Sequence, residues 1–177
     1  EGLHNLCRIG AGLHIDTNEA LQDFGGLRDL KGIGGALWIE ANRSLESLRG
    51  LENLTVVEGD VWVLDNWSLT GLEGLSGLPL IGQELLLHGN QALENVDALQ
   101  SLTEIGNCLE IHENDGLNSI TGLERQFFTI VDVIPLALDD IENRAVHMAV
   151  SLTEPAGRKR TEMGFDGLCD FHVLRID

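Results

Sequence analysis

Leu37-Trp38-Ile39-Glu40-Ala41-Asn42 is followed 24 residues later by Val61-Trp62-Val63-Leu64-Asp65-Asn66 and again by Leu85-Leu86-Leu87-His88-Gly89-Asn90. The same apolar-x-apolar-x-x-Asn phrase lies upstream at Leu13 to Asn18 and downstream at Leu109 to Asn114. The chain therefore reads as units at residues 13–36, 37–60, 61–84, 85–108 and 109–132. A fixed period of this length is the mark of a solenoid, in which each turn buries its apolar side only against its neighbours.

Past the Asn, the apolar positions step by three. Leu21, Phe24, Leu27, Leu30 and Ile33 show this in the first full unit. That spacing suits neither one long helix nor a meandering sheet, and it fits a chain that turns a corner every few residues. Leu3, Leu6, Ile9 and Gly10 align with Leu99, Leu102, Ile105 and Gly106, so the given sequence starts inside a turn. With Glu1 as its first residue, it is expected to be a mature or truncated product. The expected fold class is a β-rich solenoid with a parallel sheet over residues 1–126.

The pattern fails after Leu123. Gln126 stands where Leu102 stood one unit earlier, and the next expected Asn is Leu138. Residues 127–177 are read as a C-terminal α+β cap or docking extension, because an open solenoid needs its ends covered. Leu138, Ile141, Ala145, Met148 and Leu152 step by three and four after Pro135, which predicts an amphipathic helix over 137–152. Phe171 to Leu174 reads as a short strand. The triplet Arg158-Lys159-Arg160, basic in an acidic chain, suits contact with other subunits of an assembly, a processing site or a solvated turn.

The 177 residues are 43% hydrophobic and carry a net charge of −18. That composition supports a packed domain and argues against disorder. Residues 1–126 hold 20 acids against 6 bases. Nucleic acid is not expected as a partner, since a polyanion is repelled by such a field. No run approaches the roughly 18 apolar residues of a membrane span, so direct membrane insertion is not expected either. Three cysteines leave at least one outside any internal pair. Cys7 and Cys108 are four turns apart, about 20 Å at strand spacing, too far for a disulfide; Cys169 reaches either only if the tail folds back.

The Asn column is expected to be structural, each inward amide satisfying backbone groups at a bend. The glycines before the strands and corners are assigned to crowded or left-handed backbone rather than to phosphate binding. Strand alternation separates the rest: the first and third residues of a unit point inward, and the second and fourth outward. The second-position column is His14, Trp38, Trp62, Leu86 and Glu110, and the fourth is Asp16, Glu40, Leu64, His88 and His112. Just past the Asn come Glu19, Arg43, Trp67, Gln91 and Asp115. All three tryptophans thus fall on one face, with Leu64 and Leu86 between them, and Trp is a residue that anchors binding hot spots. The candidate binding face is Trp38, Glu40, Trp62, Leu64, Trp67, Leu86, His88 and His112.

His88 and His112 are expected to be ladder neighbours, with Glu110 and Glu113 nearby. They are the candidates for sharing a zinc or copper ion, although no CxxC or HExxH spacing is present and no metal site or cofactor is read from the sequence. Cys169 and His172 form a second His/Cys pair in the tail. No G-x-S-x-G elbow or Walker loop occurs, and the carboxylates are scattered by repeat position, so catalysis is not expected. Of three glycosylation triplets, those at Asn42 and Asn66 lie in the expected buried column, which leaves Asn53 as the candidate acceptor.

The unit Leu-x-x-Ile-x-Gly-x-Leu-x-Ile-x-x-Asn-x-x-Leu, present at residues 102–117 with one Gly shifted, resembles the receptor L-domain, a relative of the leucine-rich repeat. The resemblance covers about residues 3–125. It is also similar to the more regular surface proteins of bacteria and protists that carry Gly-Gly before the strand, as at Gly34-Gly35. It implies a right-handed single-chain β-helix or leucine-rich-repeat coil, extracellular or cell-surface display, and binding of a protein or glycan by the sheet face. The alternative reading is a structural subunit of a larger extracellular or multi-subunit assembly.

Overall fold

The structure is a computed structural model that describes residues 3–107 and 109–123 and the strands Val146–Val150 and His172–Ile176. Each four-residue strand that opens a 24-residue unit is preceded, a few residues earlier, by a two-residue strand. In chain order these are β1 (Arg8–Ile9), β2 (Leu13–Asp16), β3 (Gly32–Ile33), β4 (Leu37–Glu40), β5 (Val56–Val57), β6 (Val61–Leu64), β7 (Leu80–Ile81), β8 (Leu85–His88), β9 (Glu104–Ile105) and β10 (Leu109–His112). The odd-numbered strands form one five-stranded parallel sheet and the even-numbered strands a second. Each residue is paired with its equivalent one unit on, as Leu37 with Val61 and Trp38 with Trp62. The chain is β-rich, and the repeat period is the sheet register.

Burial follows the alternation. Along β4, β6, β8 and β10 the first and third residues are buried and the second and fourth half-buried. The fifth residue then takes a left-handed conformation in every unit, with φ between 53° and 57° at Thr17, Ala41, Asp65 and Glu113 and 69° at Gly89. L-residues adopt this backbone at a cost of about 1 kcal/mol or more. Here it ends the strand and turns the next residue, the Asn, inward.

Asn42, Asn66, Asn90 and Asn114 are the only polar residues fully buried among the described residues. Their Nδ2 groups donate to the carbonyl two residues back and to a carbonyl 27 residues back, as Asn66 does to Leu64 (2.9 Å) and Ile39 (3.0 Å). Buried backbone carbonyls left open by the bend are thereby paired. After the Asn, backbone bonds link residues three apart, for example Leu45 N–H to Asn42, Leu54 N–H to Leu51, and Leu75 N–H to Leu72. Four short 3₁₀ segments, Gly25–Leu27, Glu73–Leu75, Asp97–Ser101 and Thr121–Leu123, are built this way. The three-residue turn brings every third side chain to the same side. Leu45, Leu48, Leu51, Leu54 and Val57 are accordingly all fully buried, in a core shared by every unit.

Stacking brings backbone against backbone. Gly50 has φ +107°, and a β-carbon there would run into the Phe24 carbonyl of the preceding unit. Glycine is required at that corner on both counts.

Three expectations are corrected. The helix predicted over 137–152 is not formed at 146–150: Val146–Val150 is a strand, β11, antiparallel to β12 (His172–Ile176). Val146, Met148 and Val150 alternate with His147 and Ala149, a period of two with β-branched ends that favours a strand over the coarser helical spacing. Residues 137–145 and 151–152 lie outside the described residues, as do the basic triplet, Cys108, Cys169 and most of the segment read as a cap. β12 runs beside β10. Asn18 is exposed rather than part of the buried column, because β2 is an edge strand with no earlier long strand against it. Finally, the two-residue strands make a second sheet where one had been expected.

Candidate binding face

The outward columns are in place. Trp38 and Trp62, paired across β4 and β6, meet edge to face with ring centroids 4.6 Å apart, and the His14 ring tilts against Trp38 at 4.7 Å. Leu86 follows Trp62 in the row, and Leu64 lies between Glu40 and His88 in the next. Both leucines are half-buried, so the row presents apolar edges without a gap.

The indole N–H groups point to carboxylates. Trp38 Nε1 donates to Glu40 Oε2 at 2.8 Å, and Trp62 Nε1 to Glu84 Oε2 at 3.3 Å. A ring held at its edge by a neighbour and at its polar tip by an acid has little rotamer freedom left to lose. Glu84 escaped the sequence reading because it is the last residue of its unit and reaches Trp62 from one turn on. Its place directly before β8 was the available signal.

Trp67, just past the Asn of its unit, is 51% exposed. Arg43, its equivalent one unit earlier, holds its guanidinium 4.8 Å from the indole centroid, a cation–π contact. Both stood in one expected column, but the pairing of cation with ring required the structure.

At the other end of the face, His88 and His112 are ladder partners with Nδ1 atoms 3.0 Å apart and ring centroids at 4.4 Å. His88 Nε2 is 3.8 Å from Glu113 Oε2, and His112 Nε2 is 4.0 Å from Glu110 Oε2. The face thus has an aromatic–apolar part on β4, β6 and β8 and an imidazole–carboxylate part on β8 and β10. Asp16, Glu40, Asp65, Glu84, Glu110 and Glu113 surround it with negative charge that favours cationic groups on anything that approaches.

Outside the face, Asn42 and Asn66 are fully buried and cannot accept a glycan, whereas Asn53 is exposed. Asn53 Nδ2 does donate to the Arg28 carbonyl at 2.7 Å, a bond that modification would strain. Cys7 is exposed and free. Among the described residues no helix is long and apolar enough to cross a membrane. No family model, no characterised protein and no solved structure matches the chain.

Proposed function

We propose that the protein is a non-enzymatic recognition module, a solenoid of the leucine-rich-repeat or receptor L-domain kind, that binds a protein or glycan through the face carrying Trp38, Trp62, Leu64, Leu86 and Trp67. Display on a cell surface or outside the cell suits this reading. The observation that supports it is the fixed row of Trp38 and Trp62, ring against ring with both N–H groups bonded to acids. Trp offers large apolar area, and pre-orientation removes much of the ordering cost of association. A glycan ring or an apolar side chain fits against such an edge, and the surrounding acids bond hydroxyls or cations.

The test is a glycan array and a photo-crosslinking series. A photoreactive residue at Leu86 is expected to capture ligand from the surface of cells or matrix, and one at Glu46, exposed but outside the outward strand columns, is not. Trp38→Ala with Trp62→Ala should abolish both array and crosslinking signals while lowering the denaturation midpoint less than loss of a fully buried core leucine such as Leu75 does. Capture from Glu46 with none from Leu86 would refute the face. A permanently associated subunit would instead co-purify with neighbours that bury about 2,000 Å² or more.

A further inference from the structure

The geometry points to a divalent transition-metal site of the zinc class at His88, His112 and Glu113, independent of whatever the aromatic part of the face binds. One ligand atom from each of these three residues lies within 4.8 Å of the other two. The two Nδ1 atoms, 3.0 Å apart, aim at each other across β8 and β10 and leave room for a single hydrogen between them. Zinc bonded at about 2.0–2.1 Å to two nitrogens in tetrahedral geometry spaces them about 3.3 Å apart. The imidazoles are therefore within a few tenths of an ångström of ligand spacing, on rigid paired strands. Glu113 follows β10 at a left-handed residue; its carboxylate stands 3.8 Å from His88 Nε2, and its side chain, 59% exposed, has to turn to the Nδ1 side to ligate. The repeat supports this assignment: the fourth strand position is His only in the two adjacent units, and the position after it is Glu only in the second of them. Glu110 stands 4.0 Å from His112 Nε2, beyond hydrogen-bond distance but on the side from which a carboxylate, after a small rotation, orients a ligating imidazole through its other nitrogen. Leu64 is the ladder partner of His88 on the side away from His112. Two imidazoles and one carboxylate suit zinc, cobalt or copper rather than calcium or magnesium, which take oxygen ligands. The fourth position opens to solvent and takes a water or an outside ligand.

The test is titration of the chelator-stripped chain with zinc chloride by calorimetry, and with cobalt chloride by visible absorption. One ion per chain is expected, with affinity falling as pH is lowered because protons compete for the imidazoles. His88→Ala and His112→Ala should each weaken zinc by about tenfold or more, and Glu113→Gln by about tenfold. His14→Ala, on the same face but outside the trio, and Cys7→Ser should leave it unchanged. Because a variant can lose binding by unfolding, each is required to keep the wild-type circular dichroism, and His112→Gln serves where His112→Ala does not. A thiolate-to-cobalt charge-transfer band would overturn the site. So would saturation lost in Cys7→Ser, affinity indifferent to both histidines, or no saturable binding at all.

Discussion

The side-chain oxygen of Asn66 accepts the backbone N–H of Asn42, 24 residues earlier, at 3.1 Å, while its own backbone N–H donates to Asn90 Oδ1 at the same distance. Asn42, Asn66 and Asn90 are thus each bonded to both neighbouring units, and the bonds between Asn66 and Asn90 lie wholly in the interior. Removing one amide disturbs three units at once.

Asn66→Ala leaves the Asn42 N–H and the Ile39 and Leu64 carbonyls without that partner, so a loss of about 2–4 kcal/mol is expected. Asn18→Ala, at the exposed equivalent, should cost under about 1 kcal/mol. Asn66→Asp keeps the volume and the acceptor but removes both donors and buries a carboxylate, and should be worse than Asn66→Ala. Urea midpoints of the three variants check the order. Equal losses at positions 18 and 66 would show that burial is not what gives the ladder its strength.

The same comparison can be made with glycine. Gly26 and Gly50 occupy one repeat position, yet a β-carbon at Gly26 meets nothing within 4 Å, while at Gly50 it meets the Phe24 carbonyl on a backbone with φ +107°. Gly50→Ala is expected to destabilise by about 2 kcal/mol or more. Gly26→Ala, where no strain is imposed, should be neutral or stabilise by up to about 1 kcal/mol through the unfolded chain. Thermal melts of the two variants decide this.

The core gives the third expectation. Leu75 is fully buried between units, and Leu75→Ala should cost about 2–5 kcal/mol. Glu46 is exposed in the preceding unit, and Glu46→Ala should change stability by no more than about 0.5 kcal/mol. Similar denaturation midpoints for the two would contradict the three-residue packing.

The period, the strand positions and the inward column were legible because they repeat: Leu37, Val61, Leu85 and Leu109 each report the same environment, so one unit checks another. The outward face was legible as a list of residues, since alternation along Trp38, Ile39 and Glu40 leaves only two directions for a side chain. What was not legible depended on contacts between unequal repeat positions or on backbone shape. Trp62 with Glu84 spans 22 residues rather than 24, and the left-handed backbone at Thr17, Ala41 and Glu113 falls on residue types that give no sign of it. The strand at Val146–Val150 was misread because the repeat no longer constrains that segment, leaving a period of two and a period of three to four in competition over five residues. The His88–His112 pairing followed from the register, but the convergence of Nδ1 on Nδ1 is a matter of rotamers, which sequence does not fix.

The tryptophans supply the last expectation, read without knowing the ligand. Trp67 is about half exposed, whereas Trp38 and Trp62 are partly buried against each other and bonded at their nitrogens. In the isolated chain, acrylamide should therefore quench one component of the emission readily and the remainder weakly. Trp67→Phe should remove the readily quenched component, and Trp62→Phe should not. Arg43→Ala exposes the other side of the Trp67 ring by removing the guanidinium 4.8 Å from its centroid, so quenching of that component should rise. Glu40→Gln still offers an oxygen to the Trp38 N–H but weakens a charge-assisted bond, by about 1 kcal/mol, and should free the Trp38 ring enough to raise its quenching modestly. Emission that is uniformly protected in the isolated chain, with no change in Trp67→Phe, would mean that the face is covered, and the binding surface assigned to β4, β6 and β8 would have to be given up.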